Sequence, residues 1–419
     1  MPDPNDSAWG RWAGAPPTDP PPGDPHLVKL EPIQQELRAR GIDAWLLYDF
    51  RHMNPIANRV AGFAPDQHTT RRWFGLVPAD GEPQWLHSAI EGHHFANLPG
   101  TKTAFVGWRD LEAGLGAMLA GRKRIAMEYS PGNAIPYVAR VDAGTIELVR
   151  ALGAEVVSSA DLVQTFEARW GVAGLASHRH AAQHLAEIAT LAHGWVRETV
   201  RAGRTLPEIE LQARMVAEYT ARGLVTNGPP IVARNEHAGN PHFEPSAANS
   251  QPIGEGDVLL LDLWAKEPGD DAIYADITWM AFVGARAPDA VQHVWDVVSG
   301  ARDAGVQAVT AACASGTPIQ GGAVDDVVRA HVRAHGLDAR FIHRTGHSIG
   351  IETHGNGANI DNLETRDERT LIPDTGFSIE PGVYGPEFGV RSEIDMYLTP
   401  DGRAEVTTAP QRALPALLA

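Results

Sequence analysis

The chain has one cysteine, Cys313, among 419 residues. A single thiol closes no intrachain disulfide, so packing and polar contacts must hold the fold, and a reducing, cytoplasmic setting is expected. Cys313 lies in an Ala-rich stretch of helical character, where it reads as a small buried hydrophobe. No apolar run approaches the roughly 18 residues that cross a bilayer, so no transmembrane helix is expected. Positive charge is scarce: 35 Lys and Arg stand against 52 Asp and Glu, for a formal charge of −17 at pH 7. Such a surface repels phosphate backbones and anionic lipid, which argues against nucleic acid and membrane as partners and leaves solubility as the plain meaning of the acidity. Residues 1–25 lack the charged and apolar segments of a secretory signal and are rich in Pro, Gly and Asp, the composition of a disordered tail.

What is present is enough apolar material, 43% of residues, for more than one core. From 26 to 170 short helical and strand patterns alternate, which predicts an α/β domain. Leu30 to Arg40 is amphipathic and stops at Gly41; Ala44-Trp-Leu-Leu-Tyr48 reads as a buried strand. Arg72–Val77 and Gln84–Leu86 flank the turn Pro78-Ala-Asp-Gly81, a hairpin, and Arg124–Glu128 is a further strand. A second domain is expected over 171–419. Its reading is a long helix over 178–202, then a helix to Arg222 opened by a capping box at Thr205-Leu-Pro-Glu208. Strands follow over 257–264 and 274–283, helices over 288–313 and 323–335, and strands and turns over 340–400.

Five residues of metal-ligand type occupy the strand-like parts in order: Asp262, Asp276, His347, Glu380 and Glu393. Asp262 interrupts the apolar run of its strand, a costly place for an unpaired carboxylate, although a strand-end or turn-capping role is the plainer alternative. A hairpin through the polar loop Lys266–Asp271 would bring Asp262 and Asp276 to one point. His347 lies in Gly-His-Ser-Ile-Gly350 between His343 and His354, among glycines that permit close backbone approach. Glu380 precedes the turn Pro381-Gly382, and Arg391, Glu393 and Asp395 share a strand face by period two, a pattern that also fits a solvated sheet. Four carboxylates and one imidazole make a hard donor set suited to two divalent cations, Mn²⁺ first, with Co²⁺ or Zn²⁺ as alternatives. Two such ions activate a water between them for hydrolysis.

In this order and these surroundings the five motifs resemble the pita-bread metallopeptidases: methionine aminopeptidase, prolidase (Xaa-Pro dipeptidase), aminopeptidase P and the non-peptidase relative creatinase. Arg40-Gly-Ile-Asp-Ala-Trp-Leu-Leu-Tyr-Asp49 with Gly62-Phe63 is similar to the opening of the creatinase/prolidase-type N-terminal domain, so the resemblance covers about 26–410 and points to the prolidase and aminopeptidase P branch. It implies a creatinase/prolidase-like α/β domain followed by a pita-bread catalytic domain of curved antiparallel sheet under helices. It also implies short proline-containing peptides as substrates, and a homodimer. Asp262, His347 and Glu380 would each bind metal, Asp276 and Glu393 would bridge two, and Glu380 would also handle the proton of the attacking water. His242 in Asn-Pro-His-Phe-Glu244, His343 and His354 would contact substrate, with His343 and His354 also stabilising the tetrahedral intermediate, and Arg391 would support the site. Aminopeptidase P action on longer peptides is the runner-up; creatinase-like amidine hydrolysis or a non-catalytic module would not need all five ligands.

Departures are also visible. The Asp262–Asp276 gap is longer than usual for the family, with the insertion in loop 265–273; Trp279 follows Thr278 where Arg is common, and Gly355 follows His354 where an acid is common. The arginine that several prolidases use to hold the substrate carboxylate has no clear match, with Arg366 and Arg369 as candidates.

Overall fold

The computed structural model describes residues 30–64, 67 and 69–419. The expected tail over 1–25 lies outside the described residues. The first strand, β1 (Ala44–Asp49), is buried at every position. It therefore needs cover on both faces, which is how a central strand of an α/β sheet reads. Around it lie β2 (Trp73–Pro78), β3 (Gln84–Ser88), β4 (Thr101–Phe105), β5 (Arg124–Met127) and β6 (Glu155–Ser158), in the order β4-β3-β2-β1-β5-β6. The β2–β3 hairpin turns through Pro78–Gly81 as the sequence predicts. Period two sorts the strand residues. Trp45 and Leu47 join Ile33 and Leu37 of α1 (Leu30–Ala39), Ile56 and Val60 of α2 (Pro55–Ala61) and Leu162 and Val163 at the C-terminal side. Leu46, Phe74 and Leu86 meet Leu111 and Leu115 of α3 (Trp108–Leu119) and Ile146 and Val149 of α4 (Ala143–Ala151) on the other face. The helix α5 (Ala160–Glu167) ends this part.

The long helix α6 spans Gly171–Arg201 and so begins ahead of the expected 178. Its N-terminus is set by Trp170, whose indole Nε1 donates to the Ile349 carbonyl at 2.8 Å and whose ring stacks on Tyr397. The capping box at Thr205–Glu208 does not form. Leu206 and Pro207 instead pair as β7 with β9 (Pro252–Ile253), and α7 (Glu208–Ala221) starts after them. The Glu208 carboxylate, fully buried, accepts the backbone N–H of Arg234 and of Gln251 at 2.8 Å each, which ties two loops together instead of capping a helix.

The remaining strands are β8 (Ile231–Arg234), β10 (Val258–Ala265), β11 (Ala275–Phe282), β12 (Ser348–Ile349), β13 (Thr375–Ile379), β14 (Gly382–Tyr384), β15 (Gly389–Arg391), β16 (Ile394–Leu398) and β17 (Ala404–Val406). They form one sheet β11-β10-β8, another β12-β13-β16-β17 and the hairpin β14-β15. The short helix α8 (Asn235–Ala238) follows β8, and α9 (Asp289–Ser315) and α10 (Gly321–Ala334) pack over the sheets through Val298, Ala301 and Val328. The expected single strand through Arg391, Glu393 and Asp395 is broken at Ser392–Glu393, and all three residues are buried, which removes the solvated-face reading. No described helix is long and apolar enough to cross a membrane.

A Cβ at Gly376 in β13 would lie 1.9 Å from Cζ2 of Trp170, a ring fixed by its hydrogen bond and stacking. Gly376→Ala is expected to cost about 1–3 kcal/mol of stability, read as a lower urea midpoint.

Candidate metal centre and substrate cleft

The β10–β11 hairpin sets Asp262 opposite Thr278 and Trp264 opposite Asp276. Opposed residues point the same way and diagonal neighbours lie within side-chain reach, so Asp262, Asp276 and Thr278 share one face. The alternate residues Leu259, Leu261, Leu263 and Ile277 face the core beneath α6 and α7. A one-residue slip would bury the carboxylates among leucines, so the hydrophobic pattern fixes where the acids point.

The second sheet supplies the rest. Ile379 pairs with Ile394, which places Glu380, just past β13, near Glu393, just before β16. His347 precedes β12 and is anchored to β13: its N–H donates to Ser378 Oγ at 3.0 Å, and Ser378 N–H donates to its carbonyl at 2.8 Å. Its Nδ1 lies 3.2 Å from the Ser348 carbonyl, a hydrogen bond that turns Nε2 toward the acids. Nε2 is 3.3 Å from Glu380 Oε1 and 3.8 Å from Asp276 Oδ2. Ligand atoms of Asp276, His347 and Glu393 lie within 4.8 Å of one another. Asp262 enters this group through Arg391, whose Nη2 pairs with its Oδ2. Arg391 Nε donates to Thr278 Oγ1 at 2.9 Å, and Thr278 Oγ1 donates to Glu393 Oε2 at 2.8 Å.

A further buried acid, Asp395, accepts the backbone N–H of Asp276 at 2.8 Å. Burial pushes the carboxyls of Asp276 and Glu393 well above the usual range, and repulsion from the neighbouring acids adds to it. Burial also raises Asp262, with Arg391 opposing, and lifts Glu380 to about 7. Arg391 in contact and Arg344 acting on Glu380 from farther off leave this many carboxylates short of positive charge, and Asp276 Oδ1 is buried without a hydrogen-bond partner. Such oxygens are stable where cations meet them. The donor set therefore fits divalent metal.

The cluster lies at the base of a cleft of about 740 Å³, the size of a small-molecule site. His242 and His354 line it with exposed side chains. The His354 ring stands edge-on to His347, with centroids 4.4 Å apart, and the cleft walls lower its pKa to about 4. His343 also lines the cleft, but both its nitrogens are engaged: Nδ1 with the Arg344 carbonyl and Nε2 with the Tyr384 hydroxyl, each at 2.7 Å. Burial drops its pKa to about 3, so the ring is neutral, donating from Nδ1 and accepting at Nε2. Arg366 and Arg369 stay out of the cleft. Arg366 is exposed and pairs with Glu368, while Arg369 is buried against Asp367 and the carbonyls of Asn356 and Gly357.

Thr278, Tyr384, Ser378 and Asp395 complete the network, and none was singled out as a site residue from sequence. Only Asp395 carried a signal, its period-two spacing from Glu393. Tyr137 and Arg344 of the cleft wall carried none.

The model for Metallopeptidase family M24 matches residues 180–400. The chain is 31% identical over 185 residues to the uncharacterized peptidase YqhT of Bacillus subtilis, covering 44% of this chain and 48% of that protein. It is 29% identical over 206 residues to the Xaa-Pro dipeptidase of Lactobacillus delbrueckii subsp. lactis, covering 49% and 51%. The chain thus spans about half the length of these curated relatives. The crystal structure of dipeptidase PepE from Mycobacterium ulcerans superposes with a TM-score of 0.69 at 20% identity, over 94% of this chain and 98% of that one. That likeness bears out the expected architecture, a mixed α/β layer followed by a pita-bread fold. With all five ligand-type residues inside a matched segment that takes in more than half of the sequence, this chain belongs to metallopeptidase family M24.

Proposed function

We propose that the chain hydrolyses Xaa-Pro dipeptides with two divalent cations held by Asp262, Asp276, His347, Glu380 and Glu393. The observation that carries this reading is the group of buried carboxylates around His347 Nε2 at the base of a cleft sized for a short peptide. The name of the Lactobacillus relative supports the choice of bond. In this reading residues 26–170 form the creatinase/prolidase-like domain and 171–419 the catalytic domain. Mn²⁺ is the expected ion, with Co²⁺ or Zn²⁺ also compatible with the donor set, and Cys313 as the lone cysteine supports a cytoplasmic setting.

When bound, the metal pair supplies a water of pKa near 7 instead of about 15.7 and polarises the scissile carbonyl. The chain's own residues do the rest. Glu380 takes the proton of the attacking water and passes it to the leaving proline nitrogen. That nitrogen has no N–H in the substrate, so the site needs no acceptor there, only a proton source and a place for the ring. His354, on the open side of His347, donates to the developing oxyanion, a contact worth about 3 kcal/mol. His343 holds Tyr384 in place and presents its ring, with His242, as substrate-binding wall. Arg391 keeps Asp262 and Glu393 in register through Thr278.

Three outcomes are expected. The metal-stripped protein given Mn²⁺ cleaves Ala-Pro and leaves Ala-Pro-Ala; preference for the tripeptide would make it an aminopeptidase P, and cleavage of neither would sink the Xaa-Pro reading. Glu380→Gln lowers kcat by roughly 10²–10⁴-fold, measured with the same dipeptide. Sedimentation at micromolar concentration gives a homodimer, and a monomer would contradict that part of the reading.

A further inference from the structure

Outside the cleft, α6 carries two histidines one turn apart, His180 and His184. Residues spaced by four lie side by side on a helix surface. Here the two Nε2 atoms face each other at 3.2 Å, with ring centroids 4.5 Å apart. The other nitrogen of each ring meets a carboxylate. His180 Nδ1 lies 2.7 Å from Glu267 Oε1, and His184 Nδ1 lies 3.4 Å from Glu187 Oε2. Glu187 also accepts from Gln183 Nε2 at 3.0 Å and faces Arg222 Nε at 3.8 Å.

An ionised carboxylate only accepts, so each acid draws its ring's proton to Nδ1. The two Nε2 lone pairs then point at one spot, which is repulsive until a cation, a proton or a metal ion, sits between them. The spacing suits a metal. With Zn–N bonds of about 2.0–2.1 Å, two tetrahedral ligands stand about 3.3–3.4 Å apart. A carboxylate behind a ligating histidine fixes its tautomer and makes it a stronger donor. His180 is 51% exposed, so water can complete the coordination.

Glu267 comes from loop 265–273, where this chain is longer than is usual for its family. The end of that loop is seated on the start of α6. Ile273 N–H donates to Ser177 Oγ at 3.1 Å, and His178 Nδ1 donates to the Tyr274 carbonyl at 2.7 Å. The same histidine spacing recurs in α10 with His331 and His335, but there His335 Nδ1 turns to the His331 carbonyl at 2.9 Å.

We propose that His180 and His184 bind one borderline divalent cation, of the Zn²⁺ or Ni²⁺ type, at a site separate from the catalytic cluster. Glu267 and Glu187 orient the two rings, and through His180 the ion ties the inserted loop to α6. Imidazole pairs favour Zn²⁺, Ni²⁺ and Cu²⁺, whereas Mn²⁺ stands at the weak end of the series. The site is therefore selective against the ion expected in the cleft.

Equilibrium dialysis of Zn²⁺ against the full chain tests this, with wild type beside His180→Gln and His184→Gln. Wild type should hold one more ion per chain than either variant. The readout is a difference, so it stands whatever number of ions the catalytic cluster takes. Glu267→Gln should weaken the extra ion by about 10–100-fold, and His335→Gln should leave it in place. Circular dichroism without Zn²⁺ should match the wild type for every variant, as expected for surface positions. Equal Zn²⁺ counts in wild type and both folded variants would overturn the proposal and leave a pair that shares only a proton. An extra ion lost equally in His335→Gln would overturn it too.

Discussion

The constraint on which the rest of this structure depends is the burial of many carboxylates at one point. Asp262, Asp276, Glu393 and Asp395 are each 9% exposed or less, and Glu380 joins them at the cleft floor. Carboxylates held this close repel one another and lose their water, and both effects raise their pKa values. The chain answers with directed hydrogen bonds and one guanidinium. Arg391 bridges Asp262 and Thr278, Thr278 holds Glu393, Asp395 takes the Asp276 N–H, and Ser378 Oγ donates to Glu380 at 3.2 Å. These partners orient the acids but do not neutralise them. The remaining deficit is what cations would fill.

Precision in that cluster comes from two sheets meeting. The hairpin β10–β11 fixes the first two acids by register, and β13–β16 fixes the other two. The Glu393 N–H donates to the Thr278 carbonyl at 3.4 Å, and the Asp276–Asp395 bond joins the sheets at a second point. Close approach is possible because small residues stand where chains cross. A Cβ at Gly346 would lie 2.0 Å from the Ser378 carbonyl oxygen, so the loop that carries His347 can lie against β13 only as glycine.

Much of this was legible in the sequence because the signals were local. Apolar runs broken by a single acid gave β10 and β11 to within a residue or two, and the Gly-rich run marked the His347 loop. The resemblance of the motifs supplied their joint meaning. Signals that depend on distant partners were not legible. Thr205–Glu208 has the pattern of a capping box, yet Glu208 is used by the N–H groups of Arg234 and Gln251, far along the chain. Period two suggested a solvated face for Arg391, Glu393 and Asp395, whereas a strand break and a second sheet bury all three. Arg344 sits one residue after His343 with nothing beside it in sequence to distinguish it. Its guanidinium donates to the Tyr137 hydroxyl, more than 200 positions away, a contact that no local pattern announces.

The most direct test of the central claim is a calorimetric titration of Mn²⁺ into the metal-stripped protein near pH 7, repeated in buffers of different ionisation heat. Two ions per chain should bind and release protons, because carboxyls raised by burial and mutual repulsion hold protons that metal displaces. The bound form should also unfold at higher temperature, since the ions bind only the folded cluster. No binding, or binding with neither proton release nor added stability, would contradict the claim that the buried acids exist to hold metal.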